Sequence, residues 1–307
     1  MKVSIIGGAG RVGSNAAFAL QMGAKVREIV LVDMAADVAE GEALDLRHGT
    51  AFTGAQTIVA GGYDAVNGSD CVVITAGLRR KPDESRLELI NRNVTLFREI
   101  LGNVKQCKLA DGATILVVSN PVDILTMLAV KESGLPANRV FGLGTTLDTC
   151  RFRSLIAAQF GVAAPDVDAL ILGEHGDSMV PMWSSATVNG ISIKTLPGWS
   201  DQVAQDLFEF TKKSGAEVIR LKGGAGWAVG VSIARVVEAM ALDKRQMLPV
   251  SVLQEGALGI RDICLSLPTI VGKGGVHKVL EPVCTEEEAN LLRKSEAALK
   301  EVWAQIS

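Results

Sequence analysis

Residues 2–22, KVSIIGGAGRVGSNAAFALQM, decide how this chain begins to fold. A short β-branched run ends in glycines, and a helix-forming stretch starts directly behind them. Gly8, Gly10 and Gly13 make the pattern G-x-G-x-x-G. Glycines let a backbone turn sharply and approach a pyrophosphate, and the helix behind them offers free N–H groups and the positive end of its dipole. A tight strand-to-helix turn with no ligand gives the same letters, so context has to decide. Asp33 closes the next apolar run, IVLVD, twenty residues after Gly13. A carboxylate there accepts hydrogen bonds from a ribose 2′-hydroxyl and repels a 2′-phosphate, so the expected ligand is NAD rather than NADP.

Working outward, the runs VSIIG, IVLVD, TIVAG, CVVIT, TILVV and RVFGL are short and nearly unbroken in their apolar character, as strands buried on both faces are. Helical patterns lie between several of them. Leu87, Ile90, Val94, Phe97, Leu101 and Val104 recur at three- and four-residue steps. Alternating strands and helices predict an α/β fold, a Rossmann-type doubly wound parallel sheet. The texture changes after about residue 142. Helical segments dominate there, with shorter strands near 168–173 and 185–194. The expected division is therefore a nucleotide-binding domain over 1–142 and a C-terminal α+β substrate domain over 143–307, tightly packed with a cleft between them.

The bulk properties exclude several classes. The chain has 307 residues, 48% of them hydrophobic, and a formal net charge of −3, so no global basic surface for nucleic acid is expected. The apolar stretch 228–242 is broken by Arg235 and Glu238, which suits a buried helix and not a membrane span. The opening apolar run stops too soon for a signal peptide. The five cysteines are scattered without metal-ligand or redox spacing, which suits a reducing cytoplasm and no metal site.

Three places carry candidate chemistry. His175 lies in ILGEHGDSMVP, between glycines, where an imidazole can be held at the mouth of a cleft; a structural turn histidine is the plainer reading, and it is the one given to His48 and His277. Asp148 and Arg151 stand three residues apart in TTLDTCRFR, on one face of an expected helix. They make either a surface ion pair of little value or a divided pair, with Asp148 orienting His175 and Arg151 gripping a carboxylate in a bidentate fork. SNPVD, Ser119 to Asp123, ends the fifth strand, and a cis Asn120–Pro121 bond there is a rigid way to aim Asn120 into the cleft.

Taken together, GGAGRVG, VDM, GEALDLRHGT, ITAGLRRKPDESRLELINRN, SNPVD, GTTLDTCRFR, LGEHGDSMVP and GGAGWAVG resemble the lactate/malate dehydrogenase family, in family order and over essentially the whole chain. The resemblance implies an NAD-dependent oxidoreductase acting on a small 2-hydroxy acid. It implies that His175 transfers the proton, that Asp148 partners it, that Arg151 clamps the substrate carboxylate, and that Asn120 contacts substrate and the nicotinamide region. It also implies that Arg86 polarises the reacting carbonyl at the end of a closing loop. Arg80 falls where malate-specific members carry arginine and lactate-specific ones glutamine. Ala225 falls where lactate-specific members often carry threonine. The expected substrate is therefore a small dicarboxylate, with malate and oxaloacetate interconverted as in the tricarboxylic acid cycle. L-lactate or a broad range of 2-hydroxy acids is the alternative, favoured by the lactate-like ESRLELINRN and by Asp83, an acid near Arg80 where many relatives have glycine. A non-catalytic NAD-binding redox sensor is the alternative from another class. Asp168 stands where fructose 1,6-bisphosphate-activated bacterial members tend to have histidine, so no such activation is expected although Arg153 remains. The family further implies a cytoplasmic homo-oligomer, a dimer or homotetramer.

Overall fold

A computed structural model describes residues 1–79 and 83–306. Arg80, on which the malate expectation rests, and Lys81 lie outside the described residues. The elements in chain order are β1 (Lys2–Ile6), α1 (Arg11–Gly23), β2 (Glu28–Val32), α2 (Ala36–Thr53), β3 (Thr57–Ala60), β4 (Cys71–Ile74), α3 (Arg86–Gln106), β5 (Thr114–Val117), α4 (Val122–Glu132), β6 (Val140–Gly142) and α5 (Thr146–Phe160). Short strands follow, β7 (Val167–Asp168), β8 (Ile171–Leu172), β9 (Val180–Pro181), β10 (Thr187–Val188) and β11 (Ile191–Ser192). The chain closes with α6 (Asp201–Lys222), α7 (Trp227–Ala241), β12 (Gln246–Glu255), β13 (Arg261–Gly272), β14 (Gly275–Val279) and α8 (Glu286–Ala304).

The first six strands form the parallel order β3-β2-β1-β4-β5-β6. The order reverses beside β1, and a ligand crevice belongs at the carboxyl ends of the strands at such a point. The glycine-rich turn leaves β1 there. A Cβ on Gly13 would overlap the Gly7 carbonyl, so only glycine lets α1 start this close to the strand. One face of the sheet packs Val3, Ile5 and Leu31 against Ala16 and Leu20 of α1 and Val236 of α7. The other packs Ile74, Ile115 and Val117 against Val94, Phe97 and Leu101 of α3. The α3 periodicity holds for Ile90 through Val104, while Leu87 is exposed. A capping box between Ser85 and Glu88 starts that helix.

In the C-terminal half helices are the larger part, as the sequence implies, but three longer strands come in addition to those expected. β12, β13 and β14 are antiparallel strands that continue the same sheet, joined to β6 through Ser251 opposite Gly142. Pro249 and Pro268 sit inside these strands and face each other in register. Proline lacks the N–H a ladder needs, so from sequence it argues against a central strand. The Pro268 carbonyl accepts from the Leu280 amide and the Pro249 carbonyl from the Thr145 and Thr146 hydroxyls, so each proline turns its nitrogen side away from the other strand and the β12–β13 ladder loses no bond. The 168–173 segment is two short strands in different small sheets, and 185–194 is a hairpin. Position 142 therefore falls inside one continuous nine-stranded sheet.

Candidate active site

The site is assembled from the carboxyl ends of the strands. β1 delivers the glycine turn and the start of α1. That helix has Gly10 at its N-cap with no side-chain cap, so its first-turn N–H groups stay free for an anion. Asp33, just past β2, accepts the Ala9 amide at 3.0 Å and the Ala35 amide at 3.0 Å, which ties the acid to the glycine turn. Arg11, beside the turn, reaches away to the carbonyls of Lys222 and Gly224 at 2.7 and 2.9 Å. The uncapped helix start, the glycine cradle and the adjacent carboxylate fit a dinucleotide with a free ribose hydroxyl.

After β5 the chain passes Asn120, whose bond to Pro121 is cis, and enters α4. After β6, α5 carries Asp148 and Arg151. After β8, Gly173 adopts a φ of 84° and bridges to Ser266 of β13, which turns the chain so that His175 faces α5. These segments enclose a cavity of about 390 Å³ lined by Val12, Asn120, Asp148, Arg151, His175, Asp177, Lys212 and Ala225 among others.

Asp148 is fully buried and serves two partners. One oxygen meets His175 Nδ1 in a short hydrogen bond, and the other accepts from Arg151 Nη1 at 2.8 Å. Nδ1 being engaged, Nε2 is the ring nitrogen left for a ligand. The two readings of the Asp148–Arg151 spacing thus merge: the ion pair exists, and the same acid holds the histidine. Burial lowers the pKa of His175, but the charge and hydrogen bond of Asp148 outweigh it and leave the imidazole above its ordinary value. Burial raises the Asp148 carboxyl, and the His175 and Arg151 charges and hydrogen bonds pull it further down, below the usual carboxylate range.

Arg86 is not among the residues that line this cavity. It starts α3, is largely exposed, and pairs with Asp177 at 2.9 Å and Glu174 at 3.6 Å. Asp177 lies between the two, lining the cavity and holding Arg86 outside it. Sequence reasoning gave no role to Asp177 or to Asp123, whose Oδ2 accepts the His175 amide at 2.8 Å, although both lie in the quoted motifs. It also passed over Lys212, which lines the cavity with Gly215, Ala216 and Ile219 on one face of α6; among charged surface helices nothing marks that face. Among the described residues no group of histidine, cysteine or acidic side chains could hold a metal ion. Arg153 pairs with Asp168 at 3.6 Å, away from this cavity.

A doubly wound sheet with a nucleotide cradle at its switch point and a His–Asp–Arg set in the adjoining cleft defines a dinucleotide-binding α/β protein equipped for proton transfer next to an anion. The comparisons narrow the class. The lactate/malate dehydrogenase NAD-binding domain model matches residues 1–142, and the alpha/beta C-terminal domain model of the same family matches 145–307. The chain belongs to the lactate/malate dehydrogenase family, and its cofactor is NAD. The L-lactate dehydrogenase of Acetivibrio thermocellus is 42% identical over 306 residues, covering 98% of this chain and 96% of that protein. That of Salinibacter ruber is 42% identical over 305 residues with the same coverage. A crystal structure of the minor L-lactate dehydrogenase of Enterococcus mundtii in ligand-bound form superposes with a TM-score of 0.94 at 37% identity, covering 100% of this chain and 98% of that one. The lactate dehydrogenase MGS-M5 from a Medee basin deep-sea metagenome gives 0.95 at 34% identity, covering 99% and 98%. These names favour the lactate alternative over the malate expectation.

Proposed function

We propose that the protein catalyses reversible hydride transfer between NAD and C2 of a small 2-hydroxy acid, with L-lactate and pyruvate as the pair the relatives favour. The observation that carries this is Asp148 bridging His175 and Arg151 inside one cavity beside the nucleotide turn. NAD, when bound, supplies the hydride acceptor. Arg151, half of whose fork is held by Asp148, fixes the substrate carboxylate. His175 Nε2 takes the hydroxyl proton during oxidation, and Asp148 stabilises the imidazolium that results. In reduction the imidazolium returns the proton to the carbonyl oxygen. Asn120 contacts the reacting end. Arg86 leaves Asp177, enters the cleft as the loop before it closes, and stabilises charge on the reacting oxygen. Gly8, Gly10, Gly13 and Asp33 hold the cofactor. In this reading residues 1–142 bind NAD and 143–307 carry the proton-transfer and carboxylate-binding groups.

A second reading, malate and oxaloacetate, is favoured by two sequence positions. Arg80 is a cation where a second carboxylate would need one, and Ala225 leaves room on the cavity wall. Membership of the tricarboxylic acid cycle belongs to that reading alone. Measuring NADH oxidation with pyruvate and with oxaloacetate side by side decides between them. NADH binding without turnover of either acid would leave the redox-sensor reading instead. No described helix is long and apolar enough to cross a membrane, and the five cysteines are unpaired. Together with the family these support a cytoplasmic homo-oligomer, and exposed Phe18, Met22, Trp227 and Val231 on α1 and α7 are the kind of surface a second copy would cover.

A further inference from the structure

Asp123 is an acid that the scheme above does not use. It lies in the first turn of α4 and is 2% exposed. Burying a carboxylate is costly unless its oxygens are paired. Oδ2 accepts the His175 amide at 2.8 Å, whereas Oδ1 is buried and the Ser251 hydroxyl facing the carboxyl makes no well-aligned hydrogen bond to it. Holding one amide does not require a charge, since a neutral side-chain oxygen accepts the same bond. What only the carboxylate adds is a negative charge immediately behind the imidazole.

The groups around it are few. Glu174 and His175 face Asp123 from the turn after β8, Ser251 from β12, and Cys264 from β13. His175 in turn meets Asp148 and Arg151 from α5 and Asp123 from α4. Arg151 is the one cation in that set that opposes an imidazolium. Burial pushes the Asp123 carboxyl up to about 6, while Ser251 and the His175 amide hold it back and Glu174 adds to the rise. The second charge is therefore present above that pH and absent below it.

We propose that Asp123 is a positioning residue for the reaction: it holds the His175 main chain against α4, so that the ring meets Asp148, and its buried charge favours the protonated imidazole. This rests on His175 being the proton-transfer residue. An imidazole met by two acids keeps its proton to higher pH, which favours the reduction direction.

Asp123→Asn keeps an oxygen for the His175 amide at nearly the same volume and removes the charge. Asp123→Ala removes both. The full-length chain, with and without NADH, is followed by imidazole ¹⁵N NMR, with the His175 signal assigned by its loss in His175→Asn. In Asp123→Asn the His175 midpoint should move to lower pH. The alkaline limb of the reduction rate should move with it, so that the rate at a fixed pH on that limb falls on the order of threefold, with NADH affinity unchanged. Asp123→Ala should also lose turnover, about tenfold or more, at every pH. A titration of Asp123→Asn that overlays the wild type would overturn the electrostatic role, and wild-type turnover in Asp123→Ala would overturn the positioning role. If the alanine variant does not fold, the asparagine variant decides alone. Should the wild type turn over neither acid, the proposed function fails, while the NMR titration still decides whether Asp123 supports the imidazolium.

Discussion

At Asp148 one buried carboxylate orients a histidine and steadies an arginine, and both consequences are measurable. His175→Asn should leave NADH binding nearly intact and lower turnover by on the order of 10²–10⁴, the usual weight of an acid–base group. Stopped-flow binding beside steady-state rates separates the two effects. Near-normal turnover in that variant would remove His175 from the mechanism. The pH dependence has a definite sign. Reduction needs the imidazolium, and Asp148 raises the His175 pKa, so the reduction rate holds above the ordinary imidazole value of 6.5 and falls as pH rises through the raised one. Asp148→Asn should move that fall to lower pH. The same shift gives the pair a stabilising contribution that is fully present below the ordinary imidazole value and lost as pH rises past the raised one; Asp148, held low, adds stability that is lost only in acid. At the nucleotide end, Asp33 should make kcat/KM for NADH exceed that for NADPH, because its carboxylate accepts from hydroxyls and repels phosphate. Equal values for the two cofactors would count against that role.

At the scale of elements, the cleft depends on how closely α7 approaches α1. A Cβ at Gly230 would sit 2.7 Å from the Asn15 carbonyl oxygen, so the two helices touch backbone to backbone there. Gly230→Val should destabilise by about 1–3 kcal/mol, the usual cost of forcing extra volume into a packed contact. Urea unfolding with an unchanged slope would read that loss directly. Since α7 follows Ala225 and α1 follows the glycine turn, the same variant should weaken NADH binding. A variant as stable as wild type would mean that the contact opens at no cost. The start of α3 shows how an element boundary sets chemistry. The capping box at Ser85 and Glu88 fixes where Arg86 leaves the helix, and Asp177 and Glu174 hold its guanidinium outside the cavity.

For the whole molecule, substrate choice and regulation are the open variables. If Arg80 reads a second carboxylate, oxaloacetate should be reduced far better than pyruvate. Arg80→Gln should then reverse or greatly weaken that preference, since a cation shut against a methyl group is buried without a partner. A difference of about 1.4 kcal/mol is already tenfold in kcat/KM. An unchanged ratio in Arg80→Gln would leave lactate as the standing reading. Arg86→Gln, in contrast, should lower turnover on both acids alike. Fructose 1,6-bisphosphate should leave the rate unchanged, because Asp168 offers an anion where a phosphate would need a cation and already occupies Arg153.

The parallel half of the sheet and the nucleotide cradle were written in local patterns. Unbroken β-branched runs, a 3.6-residue helical period and a glycine spacing act over a few residues each, so they survive without tertiary context. The His175, Asp148, Arg151 and Asn120 segments were legible for a similar reason, since glycines, proline and ion-pair spacing mark them locally. β12 and β13 were not, because a proline is tolerable in a strand only where its nitrogen side faces away from the ladder, and which side faces which neighbour is decided by long-range pairing. Nor were the partnerships that define the cleft. Asp123 and His175 are 52 residues apart, and Arg86 and Asp177 are 91 apart. Burial is what sets the Asp123 carboxyl against the His175 turn and raises its pKa, and burial exists only once α4, the His175 turn and β12 have closed around it.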